Sequence, residues 1–237
     1  MTVMSRSFVL VAACALALAP LAGPPTRAED PTKAPAPAPA LPPIIGLVIA
    51  DTVAGVKTAL AADPAQANIE GPRKVTPLGI ALGRRNLEIV EALLAAGADP
   101  NKPFGPPRIV PLQSAVASGS LEAVKALLAK GADPNGKDVN GGTVLHTAVE
   151  YGVLEIANLL MEKGTDVNAA ITAGPNVGAT PLHLAAQRKN LPMIRALAAH
   201  RPNWSLKWKD RTPAEVANDF GATEIADFIR ANQKQEK

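Results

Sequence analysis

The sequence predicts an all-α solenoid, a row of stacked helix–turn–helix units with a hairpin between each unit and the next. Three observations predict it. A short pattern, Thr-Pro-Leu or a close variant, opens at Thr76, Val110, Thr143, Thr180 and Thr212, at steps of 34, 33, 37 and 32 residues. A second apolar run follows with helical spacing: Leu87, Val90, Leu93 and Leu94 in one unit, Leu121, Val124, Leu127 and Leu128 in the next. Each of these runs stops at a glycine, Gly97 or Gly131, before an Ala-Asp-Pro-Asn turn. A fixed period near 33 residues means that each unit buries its apolar face only against its neighbours. Aromatic residues make up 3% of the chain, which suits close packing of small side chains better than one large aromatic core.

The fullest copy of the pattern is Thr180-Pro181-Leu182-His183-Leu184-Ala185-Ala186. Thr180 is suited to cap a helix start, since its hydroxyl accepts from a backbone N–H that has no partner within the helix. Pro181 suits the first helical position, where its missing N–H costs nothing. Leu182 is a core anchor, and the two alanines let another helix approach closely. The other copies read Thr76-Pro77-Leu78-Gly79, Val110-Pro111-Leu112-Gln113, Thr143-Val144-Leu145-His146 and Thr212-Pro213-Ala214-Glu215. Motif and period together resemble the ankyrin repeat, whose signature is Thr-Pro-Leu-His-x-Ala. The match is literal at Thr180 to Ala185 and the resemblance covers residues 44–233. It implies an ankyrin-repeat solenoid with β-hairpin fingers, a protein that binds other proteins, and no covalent chemistry.

In chain order, residues 1–28 read as a secretory signal. Arg6 is the positive end, Phe8 to Ala19 is the apolar stretch, and Thr26-Arg27-Ala28 offers a cleavage site before Glu29. Val11-Ala12-Ala13-Cys14 also resembles a lipobox, so a lipoprotein adaptor anchored at Cys14 is the alternative. Residues 29–43 hold Pro31, Pro35, Pro37, Pro39, Pro42 and Pro43 among alanines and read as a semi-rigid spacer. Residues 44–75 are a divergent first repeat, with Ile44 to Ile49 for one helix and Val53, Val56 and Leu60 for a second. Repeats 76–109 and 110–142 are regular. Repeat 143–179 carries four extra residues around Gly174-Pro175-Asn176, since eleven residues separate Asn168 from Thr180 against seven between Asn135 and Thr143. Insertions in solenoids lengthen loops, often on the binding face. Repeat 180–211 is irregular: His200 stands at the position that is glycine earlier, and Trp204 and Trp208 follow. Residues 212–233 form the last helix pair on Ile225, Phe228 and Ile229, 234–237 are a polar tail, and fraying is expected from Asn232 onward.

Little in the sequence points to catalysis. His146 and His183 fall at the repeat's own histidine position, where the resemblance implies structural rings that bond backbone, along with Thr180 and Pro181. A whole repeat separates the two rings, whereas a metal pair needs spacing such as i, i+4. Glu88, Glu122 and Glu155 recur at one repeat position and read as a solvated helix face. No phosphate-binding glycine loop, nucleophile–base pair or metal cluster is present, so no cofactor and no metal are expected. The net charge of +3 includes Arg6 and Arg27; beyond residue 28 there are 22 basic and 21 acidic side chains. That balance gives no reason to expect nucleic acid. The single cysteine, Cys14, leaves the remainder with no disulfide.

Departures from repeat regularity nominate the partner surface, because aromatics and arginines dominate interfaces. Trp208 is expected to be exposed near a hairpin tip, among Lys207, Lys209 and Arg211. Trp204 is expected either to fill the irregular corner or to face a partner. Phe104 and Arg108 lie on the first long hairpin, while Tyr151 and Arg188, with Arg84, Arg85 and Gln187, follow first helices. The sequence therefore points to an exported bacterial ankyrin-repeat protein, periplasmic or secreted, monomeric and without a membrane span. It is expected to bind another protein as a non-enzymatic scaffold; a host-directed effector is the remaining alternative.

Overall fold

The computed structural model describes residues 41–235. The expected signal segment, the lipobox at Cys14 and most of the spacer lie outside those residues. Twelve α-helices are described: α1 (Pro43–Ile49), α2 (Val53–Ala62), α3 (Pro77–Arg84), α4 (Leu87–Ala95), α5 (Pro111–Ala117), α6 (Leu121–Ala129), α7 (Val144–Tyr151), α8 (Leu154–Glu162), α9 (Pro181–Gln187), α10 (Leu191–Ala198), α11 (Pro213–Asp219) and α12 (Thr223–Gln235). They form two stacked rows. First helices pack α1 on α3, α3 on α5, α5 on α7, α7 on α9 and α9 on α11. Second helices pack α2 on α4, α4 on α6, α6 on α8 and α8 on α10.

Short helices of seven to ten residues are marginal alone, so their ends are fixed locally. Proline opens α3, α5, α9 and α11 at the first turn. Thr76 Oγ1 accepts from Gly79 N at 3.0 Å, Asn86 Oδ1 from Ile89 N at 3.0 Å, and Ser120 Oγ from Ala123 N at 3.3 Å. Past α4, Gly97 takes a φ of +88°, so that Gly97 N reaches Leu94 O and Ala98 N reaches Leu93 O. That closes two of the last turn's orphan carbonyls. Gly131 and Gly164 repeat the geometry with φ of +85° and +82°. The faces so aligned bury Leu78, Leu82, Leu93, Leu112, Leu127, Leu145, Leu160, Leu182 and Leu197 in one core running along the stack.

A chain of asparagines stitches one turn to the next. Asn68 accepts from Asp99 N at 2.7 Å and donates to Gly97 O at 2.7 Å. Asn101 does the same for Asp133 N (2.8 Å) and Gly131 O (2.9 Å), and Asn135 for Asp166 N (2.9 Å) and Gly164 O (3.5 Å). Asn168 Oδ1 then accepts from Asn203 N at 2.7 Å. This last bond corrects the expected register of the irregular corner. Asn203 occupies the aspartate position, so Arg201, with φ of +49°, takes the glycine position and His200 does not. Pro202 is buried where Ala98 and Ala132 are buried, and Trp204 replaces Pro100 and Pro134. The chain of asparagines ends at Ser205, whose Oγ accepts from Gln233 of α12 at 3.0 Å. Helix α12 runs on to Gln235, four residues into the stretch from Asn232 that is expected to fray.

The fingers are shorter than full hairpin strands. Among the described residues they close through isolated antiparallel bridges, Phe104 to Ile109, Lys137 to Thr143 and Trp208 to Arg211. The longer third finger closes through Ile171 N to Ala179 O (3.0 Å) and Gly178 N to Ile171 O (2.8 Å). The four fingers are numbered here in chain order.

Candidate functional site

The second and third fingers lie side by side. Asn140 O accepts from Thr172 N at 3.0 Å and from Ala173 N at 2.9 Å. Gly141, at φ +75°, lies so close to the Thr172 side chain that an added Cβ would collide with it. The second finger keeps its own shape through Asp138, whose Oδ1 accepts from Asn140 N and Gly142 N, both at 2.8 Å. The four inserted residues thus extend the third finger across the second. Between these two fingers and helices α7 and α9 lies a cleft of about 210 Å3. Its polar lining includes Asp138, Asn140, Thr147, Glu150 and Asn176, and its apolar lining Ile171, Pro175 and Leu184. Val139 and Val177, at the ends of the two fingers, are 59% and 51% exposed.

The inner end of the cleft is held by His146, itself buried. Its Nδ1 accepts from Thr143 N at 3.1 Å and lies 2.9 Å from Thr143 Oγ1. Its Nε2 donates to Ala179 O, 3.2 Å away on the next finger. Burial pushes the ring's pKa down to about 4, against the opposing pull of the Ala179 carbonyl. The ring is therefore neutral and adds no positive charge to the cleft. His183 repeats the device one unit later, with Thr180 Oγ1 at 2.8 Å and Arg211 O at 3.1 Å, and burial lowers its pKa too. Both rings tie a helix start to the following finger. Thr180 and Pro181 are buried at the same helix start. At the cleft's edge Glu150 Oε1 meets Arg188 of α9 at 3.2 Å. Half-buried Tyr151 beside it has its phenol pKa raised, first by burial and then by Glu150.

The structure corrects three of the expected partner residues. Trp208 is 6% exposed, Trp204 is 3% and Phe104 is 1%. Phe104 fills the space over Gly79, where a Cβ would strike its ring. Trp204 sits at the turn position and belongs to the core. Trp208 starts a two-residue turn, Lys209 and Asp210, in which both residues have positive φ. The tip of that fourth finger is thus Lys209-Asp210, and the indole turns inward, edge-on to His183 with ring centroids 6.2 Å apart. The Lys209 ammonium lies over the Trp208 ring, 4.8 Å from its centroid. The other nominated residues remain at the surface: Lys207, Lys209, Arg211 and Arg108 are exposed. Arg211 lies 3.7 Å from Asp219, and Arg188 is held by Glu150. None of the nominated residues lines the cleft; Arg188 meets Glu150 of its lining, Arg108 lies on the first finger and the lysines on the fourth.

Val139, Val177 and the cleft itself escaped the reading of the sequence. The one signal for them was the four-residue lengthening of the repeat, which located the loop but not its side-by-side contact with the preceding finger. Among the described residues no group of three or more His, Cys, Asp or Glu side chains is placed to hold a metal, and no helix is long and apolar enough to cross a membrane.

Comparison with known proteins agrees with this architecture. Residues 106–171 match the family described as ankyrin repeats (3 copies), residues 145–198 the one described as ankyrin repeats (many copies), and residues 74–103 the single ankyrin repeat. No curated protein matches the chain. Among solved structures it is similar to the ankyrin repeat domain of Bcl-3, described as a unique member of the IkappaB protein family. The TM-score is 0.73 with 23% identity, over 81% of this chain and 86% of that one. At that identity the likeness carries the fold alone. Ankyrin repeats indicate a protein–protein interaction domain, and with the matched stretches spanning more than half of its residues, this chain belongs to the ankyrin-repeat family.

Proposed function

We propose that this protein is an exported, non-enzymatic scaffold that binds one protein partner on the face formed by the second and third fingers and helices α7 and α9. The observation that carries the reading is the pair Val139 and Val177. Two large apolar side chains stand exposed on neighbouring fingers, next to a cleft; among the described residues the other exposed large apolar side chains, Leu41 and Phe220, are less exposed and lie apart from the fingers. Exposed apolar side chains grouped around a cleft mark interaction sites. Bonds between the fingers hold the surface in one shape before binding, which lowers the entropy lost on association. Export rests on Arg6, the apolar run from Phe8 to Ala19 and Thr26-Arg27-Ala28; the exported chain should begin at Glu29, and a lipidated Cys14 at its start would favour the anchored form.

The binding face is tested by capture from envelope extract, with the full chain as bait. Val139→Asp with Val177→Asp should leave the melting temperature within a degree or two, because both side chains are more than half exposed. The same pair should abolish recovery of the partner. Undiminished recovery would place the binding face elsewhere.

A further inference from the structure

The cleft between the second and third fingers has a size and a charge that narrow what enters it. We infer that it takes one lysine or arginine side chain of the partner protein, carried on an extended segment with apolar residues beside it. This inference rests on the proposal that this face binds a protein. Size comes first. Small-molecule sites run from roughly 300 to 1,000 Å3, and a cleft of about 210 Å3 is smaller than that range and fits a single side chain.

Charge comes second. Asp138 and Glu150 line the cleft, and no lysine or arginine does. Arg188 lies outside that lining and meets Glu150 Oε1 at 3.2 Å, its own side chain 42% exposed. Asp138 Oδ1 is engaged by two backbone N–H groups at 2.8 Å, which hold the carboxylate in place without neutralising it. The polarity of the walls completes the fit. Ile171 and Leu184 offer an apolar wall to a methylene stem, while the two carboxylates receive the cationic head. Lysine and arginine are the side chains with an apolar stem and a cationic end. The exposed Val139 and Val177 then meet apolar residues next to the basic one. Arginine anchored in a pocket and ringed by apolar contacts is a common source of binding energy at interfaces.

A display library of random peptides selected on the full chain tests this. The selected peptides should share a lysine or arginine adjacent to an apolar residue. They should lose at least ten-fold in affinity for Asp138→Asn with Glu150→Gln, and nothing for Glu122→Gln with Glu155→Gln on the second-helix row. Asparagine keeps an acceptor oxygen at 138, so the finger retains its shape. A second measurement needs no variant of the protein: replacing the selected peptide's arginine by citrulline, or its lysine by norleucine, should cost the same ten-fold. Peptides without a shared basic residue that bind the carboxamide pair equally, yet lose binding to Val139→Asp with Val177→Asp, would overturn the inference and leave the binding face standing. Peptides indifferent to both pairs would overturn both. A selection on the folded chain that yields no binding peptide would also overturn the inference.

Discussion

His146 carries two jobs in one ring: its Nδ1 accepts from its own helix start and its Nε2 donates to the next finger. Only the neutral imidazole does both at once: Nε2 donates in either form, but a protonated Nδ1 has no lone pair with which to accept. The folded pKa is about 4, below the ordinary histidine value of 6.5. Unfolded chains therefore bind a proton in that window which folded chains do not, and stability falls with falling pH. The contribution is complete above pH 6.5 and disappears as pH drops to about 4. For His146 the loss is about 3 kcal/mol, and His183, also lowered by burial, adds to it in the same direction. Urea unfolding between pH 7 and 4.5 should show this decline, and His146→Gln should flatten it; an equal slope in that variant would assign the pH dependence to other groups. Each histidine follows its threonine by three residues, at the repeat's own histidine position, where the ankyrin resemblance implies a ring that bonds backbone. The burial of Trp208 was not legible in the sequence. Its neighbours Lys207, Lys209 and Arg211 are charged, yet a two-residue turn sends the indole inward and the lysine outward. Trp208→Ala should cost about 3 kcal/mol or more. Trp208→Phe should cost far less, because the indole N–H is buried without a partner and its removal frees no acceptor. Equal losses in thermal unfolding would show that the N–H contributes to stability.

At the scale of the elements, the twelve helices were legible because apolar spacing, prolines at helix starts and glycines past helix ends all recur at one period. Register at the irregular corner was not, because no glycine marks it. Arg201 takes the left-handed conformation there, and the bonds from Asn203 N to Asn168 and from Ser205 N to Asn203 Oδ1 align the corner with its predecessors. The asparagine chain is thus a register device as well as a set of bonds. Asn68, Asn101 and Asn135 each join an element to the next through two contacts, for Asn101 the amide to Gly131 O and the carbonyl to Asp133 N. The bonded groups are solvent-exposed, so water replaces the lost partner and the cost is that of net hydrogen bonds alone. Asn101→Ala should lower stability by about 1–2 kcal/mol. Urea unfolding should show it as a lower midpoint with unchanged slope. A reduced slope would mean that the array now unfolds in pieces at that joint.

Across the whole molecule, a stack in which each unit touches only its neighbours can gain a longer finger without disturbing its core. Repeat 143–179 shows the consequence. Four added residues lengthen the period to 37 but leave the stacking of the helices intact, and a cleft lies between two fingers. Its chemistry belongs to this chain and not to the fold, which is why the motif alone gave the architecture but not the face. The sequence directed attention to tryptophans that the core had already claimed, while two valines without any motif of their own stand at the finger ends. Hydrogen exchange on the full chain with its captured partner tests that assignment most directly. The account predicts slowed exchange in residues 137–151 and 171–188, with α4, α6 and the fourth finger at 204–211 unchanged. Protection centred on the fourth finger or on the second-helix row, with the second and third fingers unaffected, would contradict it.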